Sequence, residues 1–205
     1  MDLQSLVQDY LDDLVDRNEE SGLQCAVYVE GELAADAVAG TVDGQSGTPI
    51  QPDHLCTIFS TSKGIAVTAI HILAERGVLD YNARVADYWP AFGVAGKGDI
   101  EVIQVLNHLA GIPQVPQVGD SPHLVWCDLD RIVAETAALE PIFERGSTSC
   151  YHGFTLGWIL EGLVRQVDGR TLGTFIRDEI ATPLGTEKGD PRGRAQSSDD
   201  DPPTA

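Results

Sequence analysis

Leu3, Leu6, Val7, Tyr10, Leu11, Leu14 and Val15 recur at three- and four-residue steps, with Asp9, Asp12, Asp13 and Asp16 between them. That period predicts an amphipathic helix that ends near Gly22. Short β-type runs at 24–30 and 33–42, parted by Gly31, predict an antiparallel hairpin. Beyond Pro52 an apolar run leads to Ser60. The chain then runs helically through Ile70, Ile72 and Leu73 to Gly77, which stands where a C-terminal capping glycine would. Between 88 and 117, Gly and Pro punctuate a loop-rich stretch around one short helix at 103–109. Further helices are expected at 131–139, 154–167 and 172–181. The last twenty residues contain no aromatic and no aliphatic side chain larger than alanine, so they cannot build a core. The expected partition is a domain at 1–185 and a disordered acidic, polar tail at 186–205.

Charge narrows the partners. Thirteen basic against thirty-two acidic residues give a net charge of −19, which repels phosphate backbones and anionic lipid and argues against nucleic acid. With lysine nearly absent and arginine supplying most of the positive charge, an acidic, heavily hydrated surface suited to high salt is expected. The first twenty residues hold many carboxylates and no basic region or unbroken apolar run, so no signal peptide is expected. No later segment reaches a membrane-spanning length. The expectation is a soluble, cytoplasmic chain without a membrane partner. Cys25, Cys56, Cys127 and Cys150 show no CxxC or Cys/His ligand spacing and are expected as buried hydrophobes. Cys150 and His152 stand two apart, a separation at which side chains seldom touch. His54, His71, His108 and His123 are scattered, and neither a metal site nor a cofactor is expected.

One tetrad carries chemistry. Ser60-Thr61-Ser62-Lys63 opens the helical run, and positions i and i+3 lie on one helix face about 5 to 6 Å apart, within reach of a Ser60 to Lys63 hydrogen bond. A lysine serves as a base once burial lowers its pKa from about 10.4 toward 7, at a cost of roughly 4 to 5 kcal/mol. Apolar surroundings are therefore expected, and Ile58, Phe59, Ile65, Ala66, Val67, Ala69 and Ile70 provide them in sequence. The helix amino end favours an alkoxide or oxyanion near Ser60. The same spacing also describes Ser60, Thr61 or Ser62 capping the helix with Lys63 solvated on its first turn.

Longer strings decide between these readings. The hairpin GLQCAVYVEGELAADAVAG, the segment IFSTSKGIAVTAIHILAERGVLD, the loop VLNHLAGIP and the stretch YHGFTLGWILEGLVRQVDGRTLGTFIRDEIATPLG together resemble the serine β-lactamase superfamily, in particular class C β-lactamases and family VIII carboxylesterases. The resemblance covers about residues 3–185. It implies an α+β fold of the β-lactamase/transpeptidase type, with an N-terminal helix, a hairpin and a mostly helical region. It also implies that Ser60 is the acylated nucleophile, Lys63 its partner in proton transfer, and Tyr151 the phenolate-type base or proton relay. A tyrosine needs nearby positive charge to serve this way, and Lys63 would supply it. The lactamase Tyr-x-Asn motif reads Tyr151-His152-Gly153 here, which tips the implied substrate from β-lactams toward carboxylic esters. Asn107 and His108 fall where relatives border the cleft, with loop bracing or helix capping as their expected role; Phe154 and Trp158 are expected in the core.

The family's third motif, a Lys-Thr-Gly, His-x-Gly or Trp-x-Gly on a later strand, has no counterpart after Tyr151; Lys188-Gly189 lies in the patternless tail. A chain truncated before the later strands is expected, its last residues arising from a shifted frame or an unrelated end. A lone hairpin then presents an unpaired edge that invites self-association. The functional readings are a serine hydrolase acting on esters, a catalytically inactive fragment or interaction module, and a β-lactam-hydrolysing or penicillin-binding protein.

Overall fold

The structure, a computed structural model, describes residues 2–117, 126 and 128–186. Cys127, His123, Lys188 and the expected tail from residue 187 onward lie outside them. The chain divides into two compact units, Met1–Cys56 and Thr57–Ala205.

In the first unit, α1 (Leu3–Asp16) starts at Asp2, whose carboxylate accepts from the Ser5 amide and satisfies one of the free donors of the first turn. Strands β1 (Gly22–Val29) and β2 (Glu32–Gly40) pair antiparallel from Gly22 opposite Gly40, with an irregularity at Val27/Tyr28. This is the expected hairpin. Leu11 packs with Ala37 and Ala39, supported by Val7, Val15, Leu23 and Cys25. The predicted apolar stripe of α1 is only half used, because Leu3, Leu6 and Tyr10 remain exposed. Small alanines at 35, 37 and 39 make the facing surface of β2 narrow, so one edge of the stripe meets it and the other does not.

The expected bare sheet edge needs a correction on one side. Gln4 holds β2 by both functional atoms of its amide, donating to Asp36 O at 3.0 Å and accepting from Asp36 N at 2.7 Å, and Gln8 donates to Val38 O at 2.9 Å. Two side-chain amides of α1 thus satisfy backbone groups that a neighbouring strand would otherwise take.

The second unit is helical. A 3-10 turn at Phe59–Thr61 runs into α2 (Ser62–Glu75), which stops at Gly77 with φ +69°, the left-handed cap expected from the sequence. Short helices α3 (Val85–Tyr88) and α4 (Val102–Leu106) follow, then α5 (Leu129–Ala138), α6 (Thr155–Val167) and α7 (Leu172–Ile176), the last continuing as a π-helical turn at Arg177–Ala181. The core joins Ala69, Ile70 and Leu73 of α2 to Ile159, Leu160, Leu163 and Val164 of α6, with Trp89, Phe92 and Phe175 filling between. The ring of Trp89 lies where a side chain on Gly162 would project, 2.4 Å from the position of a Cβ.

Several expectations about burial are overturned. Cys56 and Cys150 are exposed, whereas Cys25 is half-buried against the Leu11 cluster, so none of the described cysteines is fully buried. Phe154 is exposed rather than in the core, stacked on Trp158 and tilted against Trp126. It precedes the first turn of α6, where the face opposite the core carries it outward. The fully buried Lys97, which the pattern did not single out, donates to Val94 O at 2.9 Å and to Leu139 O, and lies 5.5 Å from the Phe92 ring centre. Burial lowers its pKa, partly offset by Glu140.

Candidate active site

Ser60 belongs to the tight turn that feeds α2, and its predecessor Phe59 is held at φ +42°, a left-handed conformation that a bulky residue adopts at a cost of about 1 kcal/mol or more. Ser62 Oγ donates to Phe59 O at 2.6 Å and Thr61 N to Ile58 O at 3.0 Å, which close the turn. Ser62 therefore braces the backbone, while Ser60 is left exposed and facing Lys63. Lys63 Nζ donates to Ser60 Oγ at 3.2 Å, the pair that the i to i+3 spacing predicts.

The apolar shell expected around Lys63 is not formed. Phe59 is 83% exposed, Ile58 and Ile65 are exposed as well, and Lys63 is half-buried. The reason is helical periodicity: the face of α2 that carries Ala69, Ile70 and Leu73 enters the core, and the 58–65 segment lies at the end of the helix beyond it.

Tyr151 comes to the same place from 88 residues beyond Lys63. Lys63 Nζ stands 4.9 Å from the centre of its ring. The phenol pKa is held below its ordinary value of 10.0, first by the nearby Ser60 hydroxyl, then by the Lys63 ammonium, whose charge adds to the effect. Three groups able to move a proton are thus collected at one exposed spot. Tyr151 itself is 56% exposed, so its ring is not an ordinary core aromatic.

The segment bearing Tyr151 is laid along residues 108–112. Ile142 N donates to Gly111 O at 2.8 Å, Gly146 N to Leu109 O at 2.9 Å, and Cys150 N to His108 O at 3.1 Å. Gly111, at φ +81°, allows the approach: a Cβ there would stand 2.3 Å from Phe143 O. His108 and His152, scattered in the sequence, meet as stacked rings with centres 5.6 Å apart. His108 thus has the bracing role expected of it; His152 was missed, because nothing at a separation of 44 residues signals a contact.

With this geometry in place, comparison with known proteins places the chain. The sequence profile of the Beta-lactamase family matches residues 7–189. The chain belongs to the beta-lactamase family. It is 38% identical over 164 residues to the esterase/beta-lactamase LipL of Mycobacterium tuberculosis, a match covering 79% of this chain and 37% of that protein. The crystal structure of a family VIII carboxylesterase superposes with a TM-score of 0.85 at 35% identity, over 91% of this chain and 50% of the other. A penicillin-binding protein homolog from Caulobacter crescentus gives 0.81 at 38% identity, over 88% and 48%. The chain therefore spans half or less of the length of these relatives. The expected serine β-lactamase/transpeptidase-like fold, α+β with helices and a two-stranded sheet, is the fold observed among the described residues. None of the described helices is long and apolar enough to cross a membrane.

Proposed function

We propose that this chain carries the nucleophile half of a serine hydrolase that cleaves carboxylic esters through an acyl-enzyme on Ser60. The observation that carries the reading is the 3.2 Å hydrogen bond from Lys63 Nζ to Ser60 Oγ, with the acidified Tyr151 phenol beside both. In the mechanism, Ser60 Oγ attacks the ester carbonyl as its proton passes to Tyr151 as phenolate, while Lys63 stabilises that phenolate and the developing negative charge. The alcohol leaves after taking a proton from Tyr151. Water then repeats the sequence on the acyl-enzyme and frees Ser60. Exposure of the site suits this assignment of roles: Lys63 need not be a desolvated base if its charge acts by lowering the phenol.

The ester preference rests on Tyr151-His152-Gly153, where a lactamase carries Asn in the third position, and on the likeness to a family VIII carboxylesterase; the relative LipL is described as both esterase and beta-lactamase. Acylation by β-lactams is the second reading, favoured by the likeness to a penicillin-binding protein homolog. A fluorophosphonate probe, a short-chain p-nitrophenyl ester and a fluorescent penicillin separate the two. Fluorophosphonate labelling and ester turnover that vanish in Ser60→Ala are expected. Labelling by penicillin without ester turnover would favour the second reading, and identical behaviour of wild type, Ser60→Ala and buffer would refute both and leave a non-catalytic module.

A further inference from the structure

Tyr151 is the one member of the site whose position depends on long-range structure, and the groups that fix it are two imidazoles. His152 is fully buried, and both its ring nitrogens are engaged. Nε2 accepts from the Ile112 amide at 3.1 Å, which it can do only without a proton; the ring proton therefore sits on Nδ1, 2.6 Å from Cys150 O. His108 is fixed in the opposite tautomer. Its Nδ1 accepts from the His152 amide at 3.1 Å, so its proton is on Nε2. The His108 carbonyl accepts from the Cys150 amide at 3.1 Å, and its φ of +60° turns ring and carbonyl toward the same segment. The residues on both sides of Tyr151 are consequently tied to the same histidine. The His108 ring then touches the Tyr151 ring in an edge-on arrangement, centres 5.0 Å apart, while Lys63 stands against that ring 4.9 Å from its centre.

We propose that His108 and His152 are positioning residues, a pair of neutral imidazoles that hold Tyr151 beside Lys63 and Ser60 and let go of it when either ring takes up a proton. A proton on His108 Nδ1 sets a donor against the His152 amide, and a proton on His152 Nε2 sets one against the Ile112 amide. In either case a hydrogen bond becomes a clash of two N–H groups. The titratable and charged groups facing the pair are Lys63 from α2 and Cys150 and Tyr151 from the packed segment. Lys63 opposes a second positive charge nearby. Burial holds both imidazoles below 6.5; Lys63 adds to this at His108, and at His152 the Cys150 carbonyl works the other way. The brace is therefore engaged near neutrality and fails only at a pH lower than that at which a free imidazole takes up its proton.

This inference rests on the ester-hydrolase reading for its kinetic consequence, and its test has one arm that does not. In the kinetic arm, the rate of Ser60 acylation by a p-nitrophenyl ester is followed from about pH 5 to 8. His108→Ala is expected to lower that rate about 10²-fold, with KM little changed, as a misplaced catalytic group does. His108→Asn, whose side-chain oxygen can accept from the His152 amide as Nδ1 does, is expected to recover to within about tenfold of wild type. The double variant H108N/H152Q is expected to lose the extra steepening of the acid limb that imidazole protonation adds, keeping only the shallower fall that follows the Tyr151 phenolate. Wild-type kinetics in His108→Ala, an Asn variant no better than Ala, or a wild-type acid limb in the double variant would overturn the proposal. The second arm uses the unsubstituted protein, so that poor folding of a variant does not blunt the test. Nitrogen-15 imidazole spectra should show two neutral rings of opposite tautomer, and the Tyr151 ring resonances should shift as either ring titrates. Tyr151 signals indifferent to both titrations overturn the brace even if Ser60 is acylated; failure of Ser60 labelling with coupled signals refutes the hydrolase reading and leaves the brace standing.

Discussion

Ser60 and Lys63 meet because a hydroxyl and an amine three residues apart share one face of a helix start, and this much was legible in four letters of sequence. The environment was not. Apolar neighbours in sequence suggested a buried lysine, yet helical geometry sends Ala69 and Ile70 inward and leaves Phe59 and Ile65 exposed, so the electrostatic load falls on the phenol of Tyr151. The sign of the resulting pH dependence follows. A phenol held below 10 by Ser60 and Lys63 is phenolate at lower pH than a free tyrosine, and acylation should rise with pH through that lowered value. Tyr151→Phe should cost about 10² to 10⁴ in acylation rate and flatten that rising limb, with little change in stability because the ring is largely exposed. Burst kinetics with a p-nitrophenyl ester read the first effect, and a urea unfolding curve the second. A Phe variant as active as wild type would remove Tyr151 from the mechanism.

Among elements, those with a strong period were readable and those fixed by single polar contacts were not. The hairpin, α2 with its Gly77 cap, and α6 appear close to where the pattern put them. The Gln4 and Gln8 grip on β2, the buried Lys97 and the His108–His152 pair all join residues far apart in sequence through one or two hydrogen bonds, which leave no periodic trace. Lys97 illustrates the energetic stake. It ties the turn after Phe92 to the end of α5 by donating to Val94 O and Leu139 O, and its removal leaves two carbonyls without that partner. Lys97→Ala should therefore destabilise the protein by about 1 to 3 kcal/mol or more. Gly162 is fixed by packing in the same region. Gly162→Ala drives a methyl group into the Trp89 ring across the contact between α6 and the turn after α3, and should cost about 1 to 3 kcal/mol. Equilibrium urea denaturation measures both, and a Gly162→Ala midpoint equal to wild type would show that Trp89 moves aside freely.

For the molecule as a whole, charge is the property that composition fixes and local structure only partly answers. All cations in the described ion pairs are arginines: Arg17, Arg76, Arg84, Arg165, Arg170 and Arg177. Arg170 alone meets Asp168, Asp178 and Glu179, and with Arg76 it pulls the Glu179 pKa down to about 2. Thirty-two acidic residues against thirteen basic leave an excess of nineteen carboxylates that no such pairing can neutralise. Two salt effects then compete. Exposed ion pairs contribute about 0 to 1 kcal/mol each and weaken on screening. Repulsion among the excess carboxylates acts over a Debye length of about 10 Å at 0.1 M salt and shrinks to about 3 Å at 1 M. The pairs are in direct contact, at 2.5 Å for Arg76–Glu179, and so are screened least, whereas the diffuse repulsion is screened most. Stability should therefore rise with potassium chloride between dilute buffer and about 1 M, most steeply over the first few tenths of a molar. Thermal unfolding across that series measures it. A Tm highest in dilute buffer would mean that the arginine networks, and not the unpaired carboxylates, dominate the electrostatics of the folded chain.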